Sequence, residues 1–149
     1  MGNIDVLKAM MGAFDNGKQG LAIWDENDNL VGFNKLYEVI WKKNLHVKPV
    51  AGINFKKAWE DEVQLPESTH SKVNLKKRFD LRAKTRKEKL SLEDEFEAEG
   101  GVWYNIKETA SDEGYMITVI TDITQRKMQD AMQSRLSNAI DSIPSHVMF

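Results

Sequence analysis

The sequence predicts an α+β domain built on a five-stranded antiparallel sheet with its helices on one face. The first observation is the order of the predicted elements, in which two strands are followed by helices and then by three more strands. A doubly wound parallel sheet needs strands and helices to alternate throughout, so this order excludes it. The second observation is a length of 149 residues with 41% apolar side chains, which suits one compact core. The third is the set of turn-forming clusters between apolar runs, which are typical of hairpins.

Composition narrows the chemistry that the chain can carry. It has no cysteine, which excludes disulfides, thiolate metal sites and a cysteine nucleophile. Its 21 basic and 23 acidic side chains leave a net charge of -2, so no overall field favours nucleic acid or an anionic membrane as a partner. No apolar run approaches the roughly 20 residues of a transmembrane helix. We therefore expect a cytoplasmic protein without direct membrane contact.

The apolar pattern of the first part of the chain predicts a helix, a β-hairpin and further helices. Apolar residues at three- and four-residue steps indicate helices, and two short apolar runs around a polar turn cluster indicate the hairpin. Asn34, directly after the hairpin, is a suitable N-cap for the helix that follows. The predicted elements are a helix over 4–14, strands over 21–24 and 30–33, a helix from 35, and one or two short helices within 45–62.

The middle of the chain combines a basic helix with acidic strands. Pro66 can open a helix, and no Gly or Pro follows before Gly100-Gly101, so one long helix is predicted up to about residue 90. Its lysines and arginines are interpreted as a solvated face. From Leu92 apolar residues alternate with glutamates, which indicates a strand, and Gly100-Gly101 marks the turn to the next one. The last strand, 115–121, is predicted to be central because both of its faces are largely apolar.

The segment from Asp122 to Gln125 carries a signal for the start of a helix. Asp122 can cap the helix, and Gln125, three positions later, can return a hydrogen bond to the backbone of the cap. The helix over 123–143 has apolar residues at three- and four-residue steps and stops at Pro144. Because this apolar stripe is longer than its own domain can cover, we expect it to contact a partner helix.

These residues resemble a PAS domain. The segment 102–127 resembles the end of that domain, and Asp122-Ile123-Thr124 is its most diagnostic part. Residues 20–25 and 30–34 resemble the first two strands of the family and the asparagine that enters its first core helix. The resemblance covers about residues 8–127. It implies a PAS-like five-stranded antiparallel sheet, flanked by an N-terminal amphipathic helix and a C-terminal signalling helix.

The resemblance also implies roles for individual residues. In PAS domains this junction couples the state of an internal pocket to the outgoing helix, and Asp122 with Arg126, four residues apart, is the expected ion pair. The signal-coupling residues are therefore Asp122, Ile123, Thr124 and Arg126. The candidate pocket-lining residues are Phe33, Asn34, Trp41, Phe55, Trp59 and Tyr104.

The ligand stays open at this point. The pocket is expected to hold an unidentified small molecule, a non-covalent flavin, or nothing. Some PAS domains hold haem through a pocket histidine, for which His46 and His70 are the candidates here, and no other metal site is predicted because the histidines are scattered. The absence of cysteine excludes the light-driven cysteinyl adduct of the LOV subclass.

We divide the chain into an N-terminal helix over 1–18, a PAS core over 19–124 and an exit segment over 125–149. The exit segment is expected to hold a signalling helix and the truncated start of a second PAS-like repeat. Residues 13–16 align with 139–142, which lie 126 positions later, and both stretches are helix ends followed by an apolar strand start.

Together these observations predict a sensory and regulatory module of a bacterial signalling protein of the histidine kinase or diguanylate cyclase type. We expect a homodimer formed through the N-terminal helix, the C-terminal helix or both. The chain has no Gly-rich phosphate loop and no nucleophile motif, so it is not predicted to be an enzyme. The alternative is a ligand-free dimerisation module, and a small α+β enzyme is a remote third possibility.

Overall fold

The computed structural model describes residues 3–45, 48–64 and 72–144. Five strands and five α-helices form the described fold. In chain order the elements are α1 (Asn3–Asn16), β1 (Gln19–Trp24), β2 (Leu30–Phe33), α2 (Lys35–Leu45), α3 (Phe55–Gln64), α4 (Lys72–Lys87), β3 (Leu92–Glu97), β4 (Trp103–Ala110), β5 (Met116–Asp122) and α5 (Thr124–Asp141).

The strands form one sheet in the order β2-β1-β5-β4-β3, and every neighbouring pair is antiparallel. The predicted α+β class and its five-stranded antiparallel sheet are confirmed. The last strand, β5, lies in the middle between β1 and β4, as its two apolar faces predict. β3 is an edge strand whose exposed glutamates alternate with half-buried residues, which is the pattern of a strand covered on one side.

The core lies between the inner face of the sheet and helices α2, α3 and α4. Aromatic rings fill most of it: the Trp24 ring lies 5.8 Å from Trp41 and 5.5 Å from Phe55, and the Trp59 ring stacks on Phe79 at 6.2 Å. The buried apolar side chains of this core include Ala22, Leu30, Tyr37, Ile40, Ala58, Ile106, Met116 and Ile120.

Helix α2 approaches β1 closely because residue 20 is glycine. A Cβ atom at Gly20 would lie 2.5 Å from Cγ2 of Ile120 and 3.1 Å from Cα of Tyr37, too close for any other residue without a shift. Asn34 also holds α2 close to β1. It caps α2 by accepting a hydrogen bond from the Tyr37 N–H at 3.0 Å, as predicted.

The side chain of Asn34, which directly follows β2, also bonds to the backbone of β1. Its Oδ1 accepts a hydrogen bond from the N–H of Leu21 at 2.8 Å, and its Nδ2 donates to the carbonyl oxygen of Gln19 at 2.8 Å. All of its side-chain hydrogen-bonding groups therefore serve the backbone at the point where β1, β2 and α2 meet.

The structure corrects one sequence-based boundary, and two others fall outside the described residues. The region 45–62 contains α3, which begins at Phe55 with Asn54 as its cap. The long basic helix was predicted to open at Pro66, but residues 65–71 lie outside the described residues and the described helix α4 begins at Lys72. The predicted strand start at 147–149 also lies outside them. None of the described helices is long and apolar enough to cross a membrane.

Candidate functional site

The inner face of the sheet carries a buried ionic network centred on Glu108. This residue lies on β4, and its side chain is 1% exposed. Arg82 donates to both of its carboxylate oxygens, from Nε at 3.2 Å and from Nη2 at 3.0 Å. Arg86 donates from Nη1 to Oε2 of the same carboxylate. Two guanidinium groups of α4 therefore share one buried carboxylate of the sheet.

The network continues into the strands and the β1–β2 turn. The Thr118 hydroxyl, on β5, donates to Glu108 at 2.6 Å and accepts a hydrogen bond from the Trp24 indole N–H at 3.2 Å. Arg86 Nε donates to Asp28 at 3.0 Å. The guanidinium carbon of Arg86 also lies 3.8 Å from the centre of the Phe55 ring. Polar and aromatic contacts together fix α4 against the sheet.

The charges of this network shift the pKa values of its members. Burial raises the pKa of Glu108, but the guanidinium groups of Arg82 and Arg86 outweigh burial and hold that pKa at about 2. Burial lowers the pKa of Arg82, and the carboxylate of Glu108 more than compensates, so its pKa is raised. Burial raises the pKa of Tyr37, which lies beside the network. At neutral pH Glu108 is therefore negatively charged and Arg82 is positively charged.

The interpretation of the basic helix as a wholly solvated face is wrong. Arg82 and Arg86 are 5% and 1% exposed, whereas their neighbours on the helix are mostly exposed. One signal in the sequence points to this arrangement. Phe79, Arg82 and Arg86 are spaced as one face of a helix, so an apolar residue shares their face.

The structure brings together three of the six predicted pocket residues. Trp41, Phe55 and Trp59 meet around Trp24 and the two arginines. The others are elsewhere or already engaged. Phe33 is only half-buried and lies 6.5 Å from Tyr37, Tyr104 contacts Phe96 at 5.6 Å towards the junction end of the sheet, and the Asn34 side chain is committed to backbone groups.

The histidine candidates for haem cannot be placed. His46 and His70 both lie outside the described residues. Within residues 3–45, 48–64 and 72–144, no group of three or more histidine, cysteine, aspartate or glutamate side chains is arranged to hold a metal ion.

The junction between β5 and α5 is held by Thr124. Its hydroxyl donates to Asp122 Oδ1 at 2.6 Å and accepts a hydrogen bond from the backbone N–H of Trp103 at 3.0 Å. Its own backbone N–H donates to the same Asp122 oxygen at 2.9 Å, and the N–H of Ile123 donates to the Trp103 carbonyl at 2.8 Å. The first residues of α5 are thus bonded to the start of β4.

Two details predicted for this junction are wrong. Asp122 does not form a capping box with Gln125, because its carboxylate is engaged by Thr124 in a local turn and Ile123 occupies the cap position. Arg126 does not pair with Asp122. Its Nη2 instead bonds both oxygens of Glu95 on β3, at 2.8 and 2.9 Å.

Lys127 completes a clamp on the same carboxylate. Its Nζ lies 3.1 Å from Oε2 of Glu95 and 4.8 Å from the centre of the Trp103 ring. The hydrogen bond from Lys127, together with the charges of Lys127 and Arg126, lowers the pKa of Glu95. We call Glu95, Trp103, Arg126 and Lys127 the exit clamp. It fixes the direction in which α5 leaves the sheet.

Beyond the exit clamp, α5 is uncovered. Its 18 residues include no buried side chain. The exposed apolar residues on it and just after it are Met128, Met132, Leu136, Ile140 and Ile143, which are 67%, 62%, 60%, 65% and 37% exposed. An isolated helix of this length is marginal in water, so its stability depends on packing against something else.

Helix α1 meets the same end of the sheet. Gln19 at the start of β1 pairs with Thr121 at the end of β5, so α1 and α5 leave from adjacent strands. Asp15 of α1 accepts a hydrogen bond from the N–H of Leu36 at 3.2 Å, which ties α1 to the first turn of α2. A cleft of about 750 Å³ lies between α1 and α2 and is bordered by Tyr104 and Asp122.

Comparisons with known proteins give likenesses to solved structures alone. No family model matches the chain, and no curated protein matches it. Among solved structures the chain is similar to the PAS domain from Bordetella pertussis BvgS. The likeness has a TM-score of 0.46 and 16% sequence identity, over 87% of this chain and 98% of that chain.

Proposed function

We propose that this chain is a non-enzymatic signal-relay module of the PAS type, which passes a change in its interior to α5 through the junction at Asp122, Ile123 and Thr124. The observation that carries the proposal is that α5 is bonded to the sheet only at its first turn and is exposed along the rest of its described length. A small shift at that turn would therefore be amplified along the helix. The setting we propose is a cytoplasmic bacterial signalling protein.

A short path joins the buried network to the junction. Glu108 and Thr118 are directly opposed on β4 and β5, and Tyr104 and Asp122 are opposed four residues further along the same pair. Thr118 and Asp122 lie on the same face of β5, about 13 Å apart at the usual rise of a strand. Because β5 is central, a change in its twist or register is shared with both neighbouring strands.

Loosening the junction is expected to free α5. Thr124→Val keeps the shape of the side chain but removes the hydroxyl that bridges Asp122 and Trp103. Loss of these hydrogen bonds costs about 1 kcal/mol, which corresponds to a roughly five-fold change in the balance between held and released helix. Because the chain has no cysteine, Glu113→Cys and Gln133→Cys provide two defined spin-label sites, one in the β4–β5 turn and one on α5.

We expect a narrow distribution of label distances in the parent protein and a broader one in Thr124→Val and Glu95→Gln. Thr109→Val is the matched control, since Thr109 is exposed on β4 and should leave the distribution unchanged. Diluting labelled protein with unlabelled protein suppresses the distances between labels on different copies. A distribution as broad in the parent as in Thr124→Val would contradict the proposal.

We further propose that α5 pairs with α5 of a second copy. Met132, Leu136, Ala139 and Ile143 follow at steps of four, three and four residues, which is the spacing of a two-stranded coiled coil. Polar residues occupy the opposite side of the helix. Helix α1, whose Met10 is 51% exposed, is the other candidate surface.

Light scattering tests this pairing. The parent chain should have the mass of two copies, and Leu136→Ser should have the mass of one, because burying a leucine contributes about 1.5–3 kcal/mol per helix. Asn138→Ser, on the other side of α5, should leave the dimer intact. A dimer that survives Leu136→Ser would place the interface elsewhere, and a parent chain that is monomeric would remove the pairing altogether.

The second candidate function is a ligand-free dimerisation module. It is favoured by the guanidinium groups of Arg82 and Arg86, which occupy the space between helices and sheet where a ligand would bind. In that case α5 would pair as proposed, but no small molecule would alter the interior. Small molecules that shift the melting temperature would favour the sensory module, whereas none should do so for the dimerisation module.

A further inference from the structure

A cleft of about 470 Å³ lies between the first three turns of α5 and the turn that joins β3 to β4. Gly101 and Trp103 form its wall on the side of the sheet, and Met128 and Met132 are among the α5 residues that line it. These two methionines are 67% and 62% exposed, so the cleft lies on the surface of the domain and not in its core. An apolar wall on each side suits it to another protein segment.

The coiled-coil spacing of α5 continues along this cleft. The seam proposed above, from Met132 to Ile143, alternates steps of three and four residues, and the same alternation extends towards the junction at Gln129 and Gln125. Gln125, Gln129 and Met132 all line the cleft. A helix that pairs with α5 along the extended seam must therefore border Trp103 as well.

The apolar part of the seam is short. Gln125 and Gln129 are polar, so apolar seam positions cover only residues 132–143, which is shorter than two heptads. Apolar seams that define a coiled coil are sustained over about three to four heptads. A stable pair therefore needs more apolar contact, and Met128 with the half-buried Trp103 offers it directly beside the seam.

The cleft is basic as well as apolar. Lys127 and Arg135 line it, and none of its described lining residues is acidic. Lys127 is paired with Glu95 at 3.1 Å, whereas the exposed Arg135 can keep its charge in water while its stem packs. An acidic partner protein would also suit this charge. The continued seam spacing favours a second copy of α5.

We infer that α5 of a second copy lies in this cleft, against Trp103 and the turn between β3 and β4. A two-fold pair is reciprocal, so the α5 of each copy fills the cleft of the other. The inference rests on the pairing of α5 under the proposed function and deepens it, because it brings the exit clamp of each copy into the interface. Release of α5 from the clamp and separation of the copies then become coupled.

The absence of cysteine allows a direct test by cross-linking in the full chain. Gln125→Cys and Ala139→Cys occupy equivalent seam positions two heptads apart, where paired helices bring their backbones within disulfide distance. Ala139→Cys tests the pairing itself, and Gln125→Cys tests its extension into the cleft. Both should form disulfide-linked dimers on mild oxidation. Asp130→Cys, on the other side of α5, should not.

Two neighbouring glycines provide a matched test of the cleft wall. Gly100 and Gly101 have φ values of +80° and +77°, and a Cβ atom at either would meet nothing within 4 Å, but Gly101 alone of the two lines the cleft. Asparagine tolerates positive φ, so the substitution strains both positions alike. Gly101→Asn should raise the dimer Kd by about five- to a hundred-fold through overpacking, and Gly100→Asn should leave it unchanged.

Two results would overturn this inference while leaving the pairing of α5 intact. The first is cross-linking of Ala139→Cys without cross-linking of Gln125→Cys, which is also the result expected if an acidic protein occupies the cleft. The second is an equal dimer Kd for Gly101→Asn and Gly100→Asn. A monomeric parent in which neither seam cysteine cross-links would instead remove the pairing, and this inference with it.

Discussion

Glu108→Gln is expected to lower the free energy of unfolding by about 3–5 kcal/mol, because it leaves the buried guanidinium groups of Arg82 and Arg86 without their shared carboxylate. Urea denaturation followed by tryptophan fluorescence measures this loss. Glu97→Gln is the matched control on an exposed position of β3 and should change stability by less than about 0.5 kcal/mol. Equal effects of the two substitutions would show that the network contributes nothing.

Replacing all three charged residues of the network separates two contributions to stability: the cost of an unpaired buried charge and the net stabilisation by the ion pairs. A variant with Arg82→Met, Arg86→Met and Glu108→Leu should be more stable than Glu108→Gln, since apolar residues of similar volume often replace buried ion pairs without loss. If the triple variant is less stable than Glu108→Gln, the unpaired guanidinium charge is not what destabilises the single variant.

The same network predicts a loss of stability in acid. The pKa of Glu108 is about 2 in the folded protein against an ordinary value of 4.5, so the folded state binds this proton less readily than the unfolded chain. Its contribution is complete above pH 4.5 and is lost as the pH falls towards about 2. The stability difference between the parent and Glu108→Gln should therefore shrink over that range. A constant difference would show that Glu108 is not the group responsible.

Asn34→Ala is expected to destabilise the fold by about 2–4 kcal/mol, because it removes three hydrogen bonds to backbone groups, two of them in buried positions. Thermal or urea unfolding measures the loss. Asn34→Asp provides a second variant, since it keeps both acceptor bonds but places a carboxylate against the Gln19 carbonyl. Both variants should have a lower free energy of unfolding than the parent.

The control for Asn34 is Asn27→Ala in the exposed β1–β2 turn. The Asn27 side chain makes no hydrogen bond within the described part of the chain, so its loss should change stability by less than about 0.5 kcal/mol. If Asn34→Ala and Asn27→Ala lower the free energy of unfolding equally, Asn34 does not stabilise the contact between β1, β2 and α2.

The sheet could be predicted from the sequence because its signals are local. Three of these signals depend on neighbouring residues only: the alternation from Leu92, the Gly100-Gly101 turn and the apolar run of β5. The position of β5 also follows, because a strand with two apolar faces must lie inside a sheet. The cap at Asn34 is similarly local, since the residue and the N–H that it accepts are three positions apart.

The interior and the exit clamp could not be predicted in the same way. Arg82 and Arg86 look like surface residues unless Glu108, more than 20 positions later, is known to face them. Arg126 has an acidic residue four positions before it, yet it bonds Glu95, which is 31 positions away on another strand. A charged side chain chooses its partner by tertiary geometry, which spacing along a helix does not report.

The central claim, that a change in the interior reaches α5, is tested most directly by the spin-label distance between Glu113→Cys and Gln133→Cys in a Thr118→Val background. This substitution removes the hydroxyl that joins Glu108 to Trp24 but leaves the junction residues untouched. The account predicts a distance distribution in Thr118→Val that is shifted or broadened relative to the parent, as in Thr124→Val. A distribution identical to that of the parent, with Thr124→Val still broadened, would show that α5 responds to its own junction but not to the interior.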